Sequence, residues 1–224
     1  MKRDLGDFVL LDASCPQGVA AGTLDATGRA WKCFEIDRRP ALEGLFAAVA
    51  SAAPGFGGNG FLFCEGPGSI LGIRIAAMAI RAAAVLRERP VLAFQSLSLA
   101  ARLILRAGLN AGGNAPFAVV AESRMNCWNV LAADENGVPA EHFLELKTEE
   151  LSALPEQVFV LPQRRAVFPL AGTPIDPLEL LRADPAVFAD CPELLRDCGA
   201  LPDAINTASA ATYAKWTPGR HRGA

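Results

Sequence analysis

Residues 60–74 read GFLFCEGPGSILGIR, an apolar run followed by a glycine-rich loop and the beginning of a helix. The apolar run at 61–64 is typical of a strand that is buried on both faces. The helix is predicted over residues 70–88, because Ser69 precedes it and Pro90 ends it. These residues therefore predict a strand, a tight loop and a long helix in direct succession.

The segments around this stretch predict an alternation of strands and helices. Three apolar segments joined by short polar turns precede it, at residues 8–11, 18–24 and 30–36. Pro40 is followed by apolar residues at helical spacing, which predicts a helix over residues 41–53. A strand over residues 91–94 and a helix over residues 96–107 follow. The predicted order is β-β-β-α-β-α-β-α, and residues 1–108 form the predicted first lobe.

The second half of the chain has a weaker pattern. Residues 112–114 are predicted to form a hinge, and residues 109–224 a smaller, degenerate second lobe whose C-terminal segment returns to the first. Apolar runs predict strands, and prolines at helix-start positions predict short helices. The strand segments are 117–120, 128–131, 143–146 and 158–161, and the helical segments are 177–183 and 192–198.

Composition limits the function of the chain. About half of its 224 residues are hydrophobic, which is typical of a globular protein. The net charge is -3 and no basic stripe is present, so strong direct binding of nucleic acid is not expected. The six cysteines form no C-x-x-C pair and there are only two histidines, so we predict reduced thiols and no metal site.

The sequence indicates a cytoplasmic protein without membrane contact. The N-terminus begins with charged residues, but Asp12 interrupts the short apolar run that follows, unlike a signal peptide. The most apolar stretch, residues 70–86, contains Arg74 and Arg81, which a membrane span tolerates poorly. We therefore interpret this stretch as a buried helix.

The loop at residues 66–69 has two interpretations. Gly66, Gly68 and Ser69 stand between a strand and a helix, where backbone N–H groups can contact a phosphate. Alternatively, the loop is a tight turn in which Ser69 is the N-cap. It is not a Walker A motif, because no Gly-Lys-Ser/Thr follows. Asp12, at the end of the first strand, is a further candidate for a metal or nucleotide contact.

No set of residues predicts a catalytic centre. The chain has no Gly-x-Ser-x-Gly elbow, and neither His142 nor His221 has a recognisable catalytic partner in the sequence. We therefore predict no catalytic residues.

The predicted element order resembles a lobe of the actin-like (ASKHA, ribonuclease H-like) fold, which implies an α/β protein with two lobes. Residues 65–75 resemble the Gly-Pro-Gly-Ser-Phe-Thr-Gly-x-Arg signature of the TsaB family, also called YeaZ. The resemblance spans nearly the whole chain and is strongest over residues 60–101. Further matches to the family pattern occur at residues 11–14, 38–39, 89–91, 95–100 and 211–215.

The chain departs from the family pattern at three places. Ile70 and Leu71 replace the usual Phe-Thr, and residues 122–124 read Glu-Ser-Arg where Asp-Ala-Arg is usual. A histidine usual before the first helix is replaced near Pro40, and the missing imidazole removes a metal ligand there.

The resemblance implies a non-catalytic scaffold that binds TsaD in the synthesis of threonylcarbamoyladenosine (t6A37) in tRNA. It also implies a TsaE-like ATPase as a further partner, a homodimer when the chain is alone, and contact with tRNA only through the complex. No cofactor is required, and any nucleotide binding is expected to be weak. The label M22 glycoprotease is attached to the family because of the superfamily resemblance and is not evidence of proteolysis. We expect no protease activity of this chain. The alternatives are a divergent self-associating paralogue and an ATP-dependent small-molecule kinase or hydrolase on the same fold.

The helices at residues 41–53 and 70–88 are predicted to form the partner interface. The second helix is apolar nearly all round, and such a helix must be covered on every side. The alternative is that the second lobe covers this surface. The predicted interface residues are Leu42, Leu45, Phe46, Val49, Leu71, Arg74, Ile75, Met78 and Arg81.

Overall fold

Six strands form the first sheet of the computed structural model, which describes residues 4–110, 115–124, 126–134, 138–140, 142–164 and 168–199. In chain order these strands are β1 (Phe8–Asp12), β2 (Val19–Leu24), β3 (Trp31–Asp37), β4 (Gly60–Gly66), β5 (Val91–Gln95) and β11 (Arg196–Asp197). Their order in the sheet is β11-β5-β4-β1-β2-β3. The strands β1, β2 and β3 form an antiparallel meander, whereas β4 and β5 run parallel to β1.

The second sheet repeats this arrangement. Its strands are β6 (Phe117–Glu122), β7 (Cys127–Ala133), β8 (Leu144–Lys147), β9 (Gln157–Val160) and β10 (Thr173–Pro174), in the order β10-β9-β6-β7-β8. Again three strands form an antiparallel meander and the next two are parallel to the first. The duplicated order, with antiparallel β1 to β3 in place of an all-parallel Rossmann sheet, confirms the predicted α/β, ribonuclease H-like fold with two lobes.

Helices cover both faces of the first sheet. The helices α1 (Ala41–Ala52) and α2 (Ile70–Leu86) pack on one face, and α3 (Ser96–Arg106) packs on the other. Leu99 and Leu103 of α3 contact the first sheet, while Leu97 and Ile104 join the core of the second sheet. The helix α3 is therefore the layer that joins the two lobes.

The crossovers of the second lobe contain no long helix in their described residues. Where α1 follows β3 in the first lobe, a 3-10 helix at Thr148–Ala153 follows β8. The outer face of the second sheet is nevertheless buried, and Trp128 packs edge-on against Phe168 at 5.1 Å between ring centroids. Shorter connections over the same strand order explain why the second half of the sequence has the weaker pattern.

The chain returns to the first lobe after β10. The helices α4 (Pro177–Ala183) and α5 (Val187–Asp190) pack against the first sheet, where Phe188 contacts Phe94 at 5.2 Å between ring centroids. The indole Nε1 of Trp31 donates to the Leu181 carbonyl at 3.1 Å. The helix predicted over residues 177–183 is confirmed, with Asp176 as its N-cap.

The helix predicted over residues 192–198 is wrong. A 3-10 turn occupies Pro192–Leu194, and β11 follows as an antiparallel partner of β5. The cause lies in the tertiary structure, because the edge of β5 offers hydrogen-bond partners to the backbone of this segment. The Cys198 amide donates to the Val91 carbonyl at 2.9 Å. The hinge predicted at 112–114 and the family match at 211–215 lie outside the described residues.

Two further expectations concern the membrane and the cysteines. Within the described ranges, no helix combines the length and the apolar character that crossing a bilayer requires. All six cysteines are free thiols, and Cys15 and Cys64 are buried.

We predict that Phe188→Ala lowers the free energy of unfolding by about 3–5 kcal/mol, because this side chain is fully buried against the first sheet. Urea unfolding followed by circular dichroism measures the change. Leu170→Ala is the control, since Leu170 is 44% exposed and its loss is expected to cost less than about 0.5 kcal/mol. An equal effect of the two substitutions would contradict the docking of α5 on the first sheet.

Candidate functional site

A cavity of about 590 Å³ opens between the two lobes. The first lobe contributes the turn after β1, the loop before α2 and the beginnings of α2 and α3. The second lobe contributes the turn between β6 and β7 and the loop after β9. The cavity therefore lies at corresponding ends of the two duplicated sheets.

The glycine-rich loop lies directly on the turn after β1. The Ser69 amide donates to the Ser14 carbonyl at 2.7 Å. A Cβ atom added at Gly68 would overlap the same carbonyl oxygen, and one added at Gly72 would overlap that of Ala13. Glycine is required at both positions because backbone approaches backbone closely. This contact positions the loop and the first turn of α2.

Ser69 is the N-cap of α2, as the structural interpretation of the loop predicts. Its Oγ accepts a hydrogen bond from the Gly72 amide at 3.3 Å. The loop is also held from the other side, since Ser96 Oγ donates to the Pro67 carbonyl at 2.5 Å. Gly68 and Ser69 line the cavity, whereas Gly66 is buried at the end of β4 and lies outside the cavity lining.

Asp12 lines the cavity but is only 4% exposed. Its Oδ1 accepts hydrogen bonds from the Ser14 amide at 2.8 Å and from Ser14 Oγ at 2.7 Å. Burial raises the pKa of the Asp12 carboxyl above its ordinary value, and the hydrogen bonds from Ser14 oppose this shift. Among the described residues, no three His, Cys, Asp or Glu side chains come together as a metal site.

The turn between β6 and β7 forms the opposite wall of the cavity. Arg124 pairs with Glu145 at 2.6 Å, and Ser123 Oγ donates to the same carboxylate at 2.5 Å. Glu122 accepts from the Arg164 amide at 2.8 Å. The residues at 122–124 depart from the family pattern, and the structure places them at the position that the turn after β1 occupies in the first lobe.

Sequence reasoning identified one wall of the cavity and missed the other. On the second-lobe wall, Ser123, Arg124, Asn126 and Arg164 line the cavity and were not among the predicted site residues. The signal that reveals them is the repeated strand order, since the β6–β7 turn is the counterpart of the β1–β2 turn and the loop after β9 is the counterpart of the loop after β4. The arginines Arg74, Arg124 and Arg164 come from three separate elements, and they line the cavity together with the carboxyl groups of Asp12 and Glu122.

The outer face of α1 and α2 is the second candidate site. Leu42, Phe46, Leu71 and Met78 are between 48% and 69% exposed. Of the predicted interface residues, Arg74 is exposed, while Ile75 and Arg81 are half-buried. The side chains of α1 and α2 thus divide between the sheet and the surface.

Two of the predicted interface residues are wrong. Leu45 and Val49 are 0% and 4% exposed, because they lie on the side of α1 that packs against the sheet. Conversely, Val85 and Leu86 were not predicted and are more than 80% exposed at the end of α2. Seven of the eleven exposed large hydrophobic side chains in the described part of the chain belong to α1 and α2.

These exposed residues form a stripe along α2. Leu71, Met78 and Val85 are seven positions apart, so they lie on one side of the helix. On the neighbouring α1, Leu42 and Phe46 are four positions apart and share a face. We call these five side chains the outer stripe. Exposed apolar groupings of this kind mark interaction sites in other proteins.

No family model and no curated protein sequence matches the chain, but solved structures share its fold. One is YeaZ from Pseudomonas aeruginosa, with 19% identity, a TM-score of 0.57, and coverage of 87% of this chain and 97% of that chain. Another is an uncharacterised protein with similarity to peptidase YeaZ from Pseudomonas aeruginosa, with 20% identity, a TM-score of 0.58, and coverage of 88% and 98%. The chain therefore has the two-lobed fold of YeaZ over most of its length.

We predict that Gly72→Ala lowers the free energy of unfolding by about 1–3 kcal/mol, because the new Cβ overlaps the Ala13 carbonyl and forces a shift of backbone. In an unobstructed helix the same change stabilises. Gly57→Ala is the control, since its Cβ would meet the Pro54 carbonyl at an ordinary 3.5 Å. Chemical unfolding of both variants measures the change in the free energy of unfolding. A Gly72→Ala protein as stable as the wild type would contradict the close contact between Gly72 and the Ala13 carbonyl.

We predict that the stability of Asp12→Asn relative to wild type rises as pH increases from about 4 to 7. The pKa of Asp12 is raised in the folded protein, so its ionisation destabilises the fold as pH rises above the unfolded value. The uncharged amide of the Asp12→Asn variant does not ionise, so the variant does not lose stability in this way. Urea unfolding at several pH values measures the difference in stability.

Asp25→Asn is the matched control for this pH series. The Thr27 hydroxyl and neighbouring backbone amides lower the pKa of Asp25, so ionised Asp25 stabilises the fold above the unfolded value. The relative stability of this variant should therefore fall with rising pH. A pH trend of the same sign in both variants would contradict the assignment.

Proposed function

We propose that the chain is a TsaB/YeaZ-like, non-catalytic scaffold subunit that binds a TsaD-like protein in t6A37 modification of tRNA. The observation that carries the proposal is the outer stripe on α1 and α2, exposed on a lobe with the YeaZ fold. The Gly-Pro-Gly-Ser-x-x-Gly-x-Arg string at residues 66–74 supports the family assignment.

The outer stripe supports a protein partner because its exposure is energetically unfavourable. Burying a side chain of the size of leucine or methionine contributes about 1.5–3 kcal/mol. The five side chains of the stripe lie on two helices that pack side by side, so one partner surface can cover them together. Arg74 and Arg81 flank the stripe on α2 and would favour a partner with carboxylates opposite them.

The cavity supports a scaffold more than an enzyme. The candidate groups on its first-lobe wall already make hydrogen bonds within the chain, since Asp12 accepts from Ser14 and Ser69 caps α2. The hydroxyl of Ser123 donates to Glu145, but the hydrogen bonds from Ser123 and Arg124 lower the pKa of this carboxyl group and make it a weak base. A nucleophile needs a base that is free to take its proton. We therefore propose no catalytic or proteolytic role, no required cofactor, and only weak nucleotide binding in the cavity.

The remaining parts of the proposal follow from this scaffold role. The chain would form a homodimer through the outer stripe when it is alone, and it would exchange that contact for the TsaD-like protein. A TsaE-like ATPase is the proposed further partner. Because the net charge is -3, tRNA would be held by the complex rather than by this chain. Such a complex acts in the cytoplasm.

One family departure lies inside the proposed interface. Ile70 and Leu71 replace the usual Phe-Thr, and they are 47% and 63% exposed at the beginning of α2. This location favours a partner surface adapted to the change. It also keeps open the alternative of a divergent paralogue that uses the stripe only to self-associate.

We predict that Met78→Glu and Leu71→Glu each weaken binding of the TsaD-like protein from the same organism at least tenfold, because a carboxylate would be buried without a partner. Pull-down and analytical sedimentation measure this. Leu144→Glu is the matched control, since Leu144 is 62% exposed on β8, outside the stripe. If both stripe variants fold and bind like the wild type, the interface is elsewhere.

Native mass spectrometry separates the alternatives. A complex with the TsaD-like protein supports the scaffold, whereas a homodimer that ignores this protein supports the self-associating paralogue. ATP turnover by the chain alone, abolished by Asp12→Asn, would support the kinase or hydrolase. Reconstituted t6A synthesis, with and without the chain, tests the full proposal.

A further inference from the structure

The last described residue of the chain lies beside the exposed end of α2. This residue is Gly199, and its carbonyl accepts a hydrogen bond from the Val91 amide at 2.9 Å. Val91 begins β5, and only the connection at residues 87–90 separates it from Leu86, the last residue of α2. The chain from Leu86 to Val91 spans no more than about 18 Å. Residue 200 therefore follows from a point close to one end of the outer stripe.

The residues before Gly199 indicate the same face of the first sheet. The side chain of Cys198 packs against the core that α1 and α2 form with the sheet. Gly199 has a φ of 69°, in the left-handed region, and its amide donates to Asp197 Oδ1 at 2.8 Å. The chain therefore leaves the sheet at a turn, and the last side chain before this turn is on the α2 face.

Exposed apolar side chains extend from this exit point along the whole of α2. Val85 and Leu86 are 84% and 88% exposed at the end of the helix, and Met78 and Leu71 follow towards its beginning. The 17 residues of α2 extend over about 25 Å. Residues 200–216 reach about 55 Å when extended, so they are long enough to follow the stripe from the exit point to Leu71.

The sequence after Gly199 contains side chains that suit an apolar surface. Leu201, Ile205, Tyr213 and Trp216 are large and mainly apolar, and Tyr213 is the only tyrosine of the chain. Tyrosine and tryptophan bury a large area and are common anchors of protein interfaces. Contact between these side chains and the outer stripe would remove both apolar surfaces from water, which is favourable.

We propose that residues 200–216 fold back over the outer stripe of the same chain and compete there with the protein partner. The competition rests on the proposed function, whereas the contact rests on the exit point, the reach and the apolar side chains. Because the segment is tethered beside the stripe, its effective concentration is on the order of millimolar, so weak contacts suffice to hold it.

The contact would regulate every use of the stripe. A partner binds only the fraction of chains in which the stripe is uncovered, and its apparent affinity falls by that fraction. The proposed homodimer uses the same stripe, so self-association would be weakened in the same way. The segment would also shield the apolar side chains of α2 while no partner is bound.

The first experiment tests the contact in the full chain alone. The photo-crosslinker p-benzoyl-phenylalanine replaces Met78 in a mixture of isotope-labelled and unlabelled chains, and mass spectrometry identifies the linked peptides. We expect links from position 78 to residues 200–216, between peptides of the same label. The matched control carries the crosslinker at Leu144, which is 62% exposed on β8, outside the stripe. We expect no link from position 144 to this segment.

Each result of the crosslinking decides the contact. Links to residues 200–216 within one chain, absent from the control, support it. Links in which labelled and unlabelled peptides mix at random assign the segment to a second copy and overturn the proposal. Links from position 78 only to α1 or α2 of another copy, or no link to residues 200–216, overturn it as well.

The second experiment tests the competition in the full chain. Tyr213→Ser combined with Trp216→Ser removes the two aromatic anchors and keeps the length of the segment. We expect this variant to bind the TsaD-like protein about tenfold more tightly in isothermal titration calorimetry, because the stripe is then uncovered in nearly all chains. Asn206→Ser combined with Thr207→Ser is the matched control, since it changes two polar residues of the same segment, and we expect the wild-type Kd.

The two experiments separate the proposal from the proposed function. A Kd of the aromatic variant that is unchanged or higher than that of the wild type overturns the competition. If the TsaD-like protein binds neither the wild type nor the variant, the proposed function and the competition fail together. The crosslinking at position 78 still decides whether residues 200–216 cover the stripe.

Discussion

The close contact between the glycine-rich loop and the turn after β1 is the constraint on which the rest of the structure depends. Backbone meets backbone there, so Gly68 and Gly72 have no room for a side chain. The Ser69 amide completes the contact through the Ser14 carbonyl. As a consequence α2 begins at a fixed point above the sheet, with one side against β1 and β4 and the other towards solvent.

The helix α3 links the first lobe to the second and sets their relative position. Its alternate sides enter the cores of both sheets, and its first turn is tied to the glycine-rich loop through Ser96. The position of the β6–β7 turn opposite the β1–β2 turn follows from this packing. The cavity between the lobes is thus a product of two duplicated sheets held by one shared helix.

The polar groups of the cavity and the apolar groups of α2 differ in whether the rest of the chain satisfies or buries them. On the first-lobe wall, Asp12 and Ser69 are satisfied within the chain, which stabilises the fold and leaves few groups for chemistry. On the outer stripe, Met78 and Val85 are 69% and 84% exposed. This contrast is the physical basis of the proposal that the protein is a binding subunit.

The sequence by itself determined the elements of the first lobe, because Pro40, Ser69 and Pro90 mark helix boundaries through local backbone chemistry. It also indicated that α2 has more apolar surface than one sheet can bury. Tertiary structure alone decided which residues of α1 are exposed, since Leu42 and Leu45 are both leucine and differ only in the side of the helix they occupy.

The tertiary structure likewise determined the secondary structure of residues 192–198 and the composition of the second-lobe wall of the cavity. The segment at β11 became a strand because the edge of β5, distant in sequence, offered backbone partners. Arg124 and Arg164 reached the cavity through the packing of two lobes. Local patterns cannot predict such placements, because a residue's burial and partners depend on the surfaces that folding brings to it.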